Sequence, residues 1–171
     1  MTMYCKPCIS DEDLANVSRF ILNNKRSLHP SFTTLDTVAL LYSYITNGHL
    51  IQVVDDNHGV IGAMAYYIGT PEEDFKDKEV VFADIAIADR SYRGSRLFIR
   101  GLKYFLNQIL TDHPEVQEFR LAALSENEYI CKLYAKFSNI THKREGSIGE
   151  ETVFSAKIRE IRSFIRKFVN V

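Results

Sequence analysis

The stretch VVFADIAIADRSYRGSRLFIRGLKYFLNQIL, Val80 to Leu110, decides the fold. Its first part is an apolar run rich in Val and Ile, interrupted by one carboxylate, Asp84. Such a run predicts a strand buried on both faces. Arg93–Gly94 then marks a short polar turn. Beyond it, Phe98, Leu102, Phe105 and Ile109 recur at three- and four-residue spacing, opposite a polar stripe of Arg96, Arg100, Lys103 and Asn107. That pattern predicts a helix with one buried face. A strand feeding a helix through a Gly-containing turn leaves backbone N–H groups without intrahelical partners, which suits a phosphate or pyrophosphate. The result is a candidate anion cradle beside a carboxylate that is costly to bury.

Working outward, Ser10 opens a first helix, with Asp13 placed to complete a capping box. A second helix begins near Thr34, with Leu35, Val38, Leu41 and Ile45 expected on its buried face, and stops at Asn47–Gly48. Leu50–Val54 and Val60–Ile68 read as strands joined through a hairpin turn. Thr70–Glu79 is polar and mostly acidic, the best candidate for a mobile loop over a site. Val116–Leu124 is a further strand. Ser125 and Glu128 form a second capping box, opening a helix with Ile130, Leu133 and Phe137 inward. Two strands near 139–144 and 152–156 complete a sheet. Residues 158–168 read as a C-terminal amphipathic helix, with Ile158, Ile161, Ile165 and Phe168 opposite Arg159, Arg162, Arg166 and Lys167. It is expected to pack on its own domain or on a twin subunit in a homodimer. This order predicts an α/β fold: one domain over residues 1–171, built on a single mixed, mostly antiparallel sheet with helices on both faces.

The 171 residues are 46% hydrophobic and 25% charged, with a formal net charge of −1. That balance fits an ordinary globular domain and gives no reason to expect a nucleic-acid partner. No stretch approaches the ~18 consecutive apolar residues of a membrane span, so a soluble, cytoplasmic protein is expected. Three cysteines cannot close a disulfide framework. Cys5 and Cys8 form a C-x-x-C, but too little chain precedes them for the strand of a redox motif. They read as small side chains of a first edge strand. His29, His49, His58, His113 and His142 lack metal spacing and read as surface or loop residues. No metal is expected.

Two motifs on this layout resemble the GNAT family, the Gcn5-related N-acetyltransferases. Tyr92-Arg93-Gly94 follows the strand as the family's acyl-CoA loop does, and Arg93 takes the first position of its Q/R-x-x-G-x-G/A pattern. Arg96 stands where the first glycine belongs and Phe98 where the last Gly or Ala belongs. Asn127-Glu-Tyr-Ile-Cys-Lys-Leu-Tyr looks like the family's asparagine-started helix, with Leu133–Tyr134 matching its leucine–tyrosine pair. Ser138 replaces the glycine common after that helix.

The resemblance implies a GNAT-like fold and a CoA-dependent N-acyltransferase. Acetyl-CoA or another acyl-CoA would be the donor, and a small-molecule or protein amine the acceptor. Asp84 would stand for the family's strand glutamate as base, and Tyr134 for its general acid. The two would face each other across a gap where the strand carrying Asp84 splays from the next. The backbone of Ile85, Ala86, Ile87 and Ala88 would run beside the pantetheine, and Arg93, Gly94, Ser95 and Arg96 would hold the pyrophosphate. Arg96 would either contact phosphate with its guanidinium or lie on the solvated stripe. Asn127 would either bond the pantetheine arm or sit in the first turn of its helix. The acceptor would meet residues 24–34, 70–79 and 145–151, where Glu72, Glu73 and Asp74 hint at a cationic amine. Two alternatives stay open: a non-catalytic binding module on the same fold, motivated by Arg96 and Phe98, and a transferase for longer acyl donors.

Overall fold

The computed structural model describes residues 2–92 and 96–168. Its strands are β1 (Tyr4–Pro7), β2 (His49–Val54), β3 (Val60–Ile68), β4 (Val80–Ala88), β5 (Glu118–Leu124), β6 (Asn139–Glu145) and β7 (Glu150–Lys157). Its helices are α1 (Asp11–Asn23), α2 (Lys25–Leu28), α3 (Thr34–Asn47), α4 (Leu97–Asp112), α5 (Glu128–Tyr134) and α6 (Ile158–Arg166). The strands form one mixed sheet in the order β1-β2-β3-β4-β5-β7-β6. β4 and β5 pair in parallel, whereas β1–β2, β2–β3, β5–β7 and β6–β7 are antiparallel. The chain divides into two compact units, Met1–Tyr67 with Ile85–Phe105, and Ile68–Asp84 with Leu106–Val171.

In the first unit, Ser10 caps α1 by accepting from the Asp13 N–H at 3.1 Å. The expected box is only half made. The Asp13 carboxylate turns instead to Lys6 Nζ at 2.6 Å and Gln52 Nε2 at 2.9 Å. Gln52 is buried, so its amide needs that acceptor more than a helix end reachable by water does. The Lys6 hydrogen bond, aided by Ser10, holds the Asp13 carboxyl down at about 2. A depressed carboxyl stabilises the fold above its unfolded value, ~3.9, and loses that contribution as pH falls through the folded value. Asp13→Asn is therefore expected to lower the urea midpoint at pH 7. The deficit should shrink between pH 4 and pH 2; a deficit unchanged across that range would contradict the assignment.

α3 carries a complete capping box between Thr33 and Asp36. Its buried face differs from the expected one: Thr37, Leu41 and Tyr44 are inside, while Leu35, Val38 and Ile45 are exposed. Tertiary contacts at the helix end decide this. Tyr44 stacks on Tyr67 with ring centroids 4.2 Å apart, and Ser43 shares a 2.6 Å hydrogen bond with the Tyr67 hydroxyl. Gly48 permits the approach, since a Cβ there would stand 2.7 Å from the Tyr66 carbonyl oxygen. Tyr66, one residue before Tyr67, meets Phe105 of α4 edge-on at 5.0 Å. Successive strand residues point to opposite faces, so α3 and α4 cover opposite sides of β3.

Leu97, rather than Phe98, is the buried residue at the start of α4, packed with Val53 and Ile61; Phe98 is only half-buried. α2 was not expected. It follows α1 directly, because Asn24 ends α1 with its backbone N–H and side-chain amide on the Phe20 carbonyl, and the chain then turns again. Cys5 and Cys8 are free thiols at the β1 edge. Burial pushes Cys5 up and Cys8 to about 12, so neither is a thiolate at neutral pH.

In the second unit, the turn that follows α5 packs on α6 through Phe137 and Phe164, centroids 5.3 Å apart. α6 buries Ile158, Ile161 and Ile165 and leaves its arginines in solvent, as expected for a helix docked on its own domain. Phe168 is exposed instead of inward. No helix among the described residues is long and apolar enough to cross a membrane, and no group of three or more His, Cys, Asp or Glu there could hold a metal ion.

Candidate active site

Burial along β4 changes character at Asp84. Val80–Ala83 are buried throughout; from there Asp84, Ala86 and Ala88 are half-exposed while Ile85 and Ile87 stay inside. The expectation of a strand buried on both faces therefore holds only for its first half. The parallel register with β5 runs from Val80↔Glu118 to Ala83↔Leu121, which puts Asp84 one position past the last registered pair.

Register partners share a face of a sheet and neighbours along a strand alternate. One face carries Phe82, Arg120 and Ser155, then Ala122, Val153 and His142, then Leu124, Glu151 and Arg144. Asp84, two residues on from Phe82, belongs to this face. The other carries Ala83, Leu121 and Phe154. The Tyr134 ring docks edge-on to Phe154 at 5.7 Å and to Phe137 at 6.2 Å, so α5 covers that second face. Asp84 and Tyr134 thus do not confront each other from one side of the sheet, as expected; they come from opposite faces. They nonetheless sense each other. Burial pushes the Tyr134 phenol well above its ordinary value, and the Asp84 carboxylate raises it further, ahead of Cys131. The phenol is therefore neutral at physiological pH and able to donate a hydrogen bond.

The face that carries Phe82 holds an open cleft of about 610 Å³. It joins two of the three segments expected to meet an acceptor: Glu72 and Glu73 on one side, Glu145 and Glu151 on the other. Residues 24–34 are not among those lining it. Arg144, which sequence reasoning missed, organises the cleft. Its Nε donates to Glu151 at 2.9 Å, its Nη1 pairs with Glu72, and the guanidinium sits 5.5 Å from the Phe82 ring centroid. The legible signal was the chain of opposite charges across the last hairpin, Arg144↔Glu151 and Lys143 with Glu150. On the same face, Arg120 Nε donates to the Glu118 carboxylate at 2.6 Å, and Ser155 Oγ donates to it at 2.8 Å. Burial pushes Glu118 up, but those two hydrogen bonds outweigh it and hold the carboxyl below its usual range.

The segment after β3 is tied down, not a loose lid. Thr70 donates through its N–H and hydroxyl to the two oxygens of Asp77, at 2.7 and 2.8 Å, and the Phe75 N–H returns to the Thr70 carbonyl at 2.9 Å. Asp74 and Phe75 both have positive φ, 53° and 57°. Gly69 makes this fold-back possible: its φ is 87°, and a Cβ would lie 2.7 Å from the Phe75 backbone. Gly69→Ala should cost roughly 1–3 kcal/mol in denaturant unfolding, from strain plus that clash. A cost under about 0.5 kcal/mol, the scatter of an ordinary surface change, would show that the segment is loose.

Of the residues expected to hold the donor, Arg93, Gly94 and Ser95 lie outside the described residues. Arg96 is exposed just before the first residue of α4. Asn127, not Ser125, caps α5, accepting from the Ile130 N–H at 3.3 Å. Ser125 is taken by a 2.8 Å hydrogen bond to Thr152. His29 lies in a loop, one of the two expected settings, but is buried there, its Nδ1 accepting from the Ser31 N–H.

No family model matches the chain, and no curated protein does. Solved structures do. An acetyltransferase of the GNAT family from Staphylococcus aureus Mu50 aligns with a TM-score of 0.66 at 9% identity, over 92% of this chain and 99% of that one. An aminoglycoside acetyltransferase in complex with coenzyme A and kanamycin gives 0.67 at 16% identity, over 95% and 98%. A chimera of the Vibrio cholerae spermidine N-acetyltransferase gives 0.64 at 14% identity, over 95% and 99%. The chain has the GNAT fold.

Proposed function

We propose that this protein transfers an acetyl or other short acyl group from acyl-coenzyme A directly to a primary amine. What supports this reading is the electrostatic effect of the Asp84 carboxylate on the Tyr134 phenol, with Asp84 one position past the last registered β4–β5 pair. Aminolysis of a thioester needs proton acceptance on the amine side of the reacting carbonyl and stabilisation of sulfur on the leaving side. Two groups approaching from opposite faces supply those needs without competing for one position. Asp84, on the cleft face, takes the proton of the incoming amine through a water, since its side chain is short. The N–C bond forms as the C–S bond breaks. Tyr134 donates a hydrogen bond to the departing thiolate; with its pKa raised, it does not surrender the proton outright to a thiol of pKa near ~8.5.

Coenzyme A brings a pyrophosphate and a pantetheine arm. The backbone of Ile85–Ala88, the stretch Arg93–Arg96 and Asn127 are the groups that the family resemblance assigns to them. Small, half-exposed Ala86 and Ala88 fit close approach of an extended chain. The cleft carboxylates Glu72, Glu73, Glu145 and Glu151 outnumber Arg120 and Arg144 and favour a cationic acceptor. Glu73→Gln combined with Glu145→Gln should raise KM for a polyamine about 2- to 10-fold, the effect of two exposed charges, with kcat nearly unchanged. An unchanged KM would place the acceptor elsewhere.

Calorimetry with acetyl-CoA tests the donor. One-to-one binding with a micromolar Kd is expected. Absence of heat at millimolar ligand would favour the non-catalytic module, in which Arg96 and Phe98 have replaced the glycines of the loop.

A further inference from the structure

Positive charge is gathered at α6. Lys136 and residues 157–167 together carry six Lys or Arg and one carboxylate, Glu160. The chain has 21 Lys and Arg and 22 Asp and Glu, so 15 cations and 21 carboxylates (21 less six, 22 less one) lie elsewhere. A near-neutral total conceals this local field. Arg159, Arg162 and Arg166, three and four residues apart, share one exposed stripe of the helix. Beside that stripe, α6 and the turn after α5 flank a groove of about 510 Å³. Lys136, Arg159 and Lys167 line it, with Phe137 and Phe164 as its apolar part. Elsewhere in the same unit, Arg120, Lys132, Lys143 and Arg144 are all committed to carboxylates. Among the described residues, the side chains of Lys136, Arg159, Arg162, Arg166 and Lys167 make no ion pair. Glu160 does not neutralise them, because it accepts from the Lys157 N–H at 2.9 Å in the helix cap.

We propose that this groove docks an acidic, extended peptide segment of another protein, with one apolar side chain of that segment set against the half-buried Phe164. Clustered guanidinium groups recognise carboxylates through paired, directional hydrogen bonds, which is how arginine clusters read acidic motifs. The eight residues from Arg159 to Lys167 rise about 12 Å along the helix, the length of about four extended residues. Carboxylates spaced along such a segment therefore reach successive cations. A membrane surface is disfavoured, because Ile158, Ile161 and Ile165, the face that would enter lipid, are already buried. A nucleic acid is disfavoured too, because the carboxylate surplus over the rest of the chain repels a polyanion longer than the stripe. The inference is independent of the transferase reading.

Fluorescence anisotropy of a labelled Glu-Glu-Phe-Glu-Glu peptide, titrated with the full-length chain, tests it. Saturable binding with a Kd of about 100 µM or tighter is expected at about 50 mM salt, weakening about tenfold by about 200 mM. Arg159→Glu with Lys167→Glu should weaken binding about tenfold or more, with an unchanged thermal melt because both side chains are exposed. Arg26→Glu with Lys103→Glu, the same change in net charge on exposed residues of the other unit, should weaken it less than about threefold. Glycine in place of the peptide's phenylalanine should cost about three- to tenfold, the worth of the apolar contact. Absence of binding at about 1 mM chain, or equal losses in the two charge-reversed variants, would overturn the proposal. Retention of phosphatidylglycerol vesicles or single-stranded DNA under salt conditions that release the peptide would overturn it as well.

Discussion

Tyr134→Phe should lower kcat by about 100- to 1,000-fold, the worth of one well-placed donor to a developing anion, while leaving acetyl-CoA affinity within a few-fold of wild type. The ring is what α5 uses to dock on Phe154 and Phe137, and phenylalanine keeps it. Only the hydroxyl is lost, at a position where burial and the Asp84 charge already keep the phenol protonated. Steady-state kinetics beside donor calorimetry separates the effects. Equal losses in kcat and affinity would make Tyr134 a binding residue. A loss under about threefold would return it to the core, where most helical tyrosines belong.

The second large effect is expected at Asp84. Replacement by Asn should reduce kcat/KM about 100- to 10,000-fold, the range spanned by positioned bases. The variant carries a readout that an inert side chain would not move. Removing the carboxylate removes one of the causes that raise Tyr134, so its phenol should titrate lower in Asp84→Asn than in the wild type, by ultraviolet difference spectroscopy. Asp84→Glu should retain more activity than Asp84→Asn, because it restores the charge and reaches one methylene further. Full activity in Asp84→Asn would reduce Asp84 to a hydrogen-bond anchor.

The element order was legible because it rests on local signals: a Val/Ile run, alternation, capping residues and Gly-containing turns. Face and partner were not, because distant contacts choose among local equals. α3 has two apolar stripes, and nothing within it says which is buried; the Tyr44–Tyr67 stack and the close approach at Gly48 do. Asp13 looked like half of a box until Gln52, 39 residues away, claimed its carboxylate. Ser125 and Asn127 were both credible caps, and the hydroxyl of Thr152 removed the first. Arg144 drew no notice because its partners, Glu72 and Glu151, converge only once the hairpin and the segment after β3 are in place. Asp84 and Tyr134 are proposed from motif position. That they approach from opposite faces follows only from the β4–β5–β7 register.

Release of free thiol from acetyl-CoA, followed with and without a panel of primary amines including a polyamine and an aminoglycoside, probes the central assignment most directly. The wild type should release thiol in step with N-acetylated amine, and both Tyr134→Phe and Asp84→Asn should nearly abolish that release while still folding. Donor binding without amine-dependent release, or release undiminished in both variants, would contradict it.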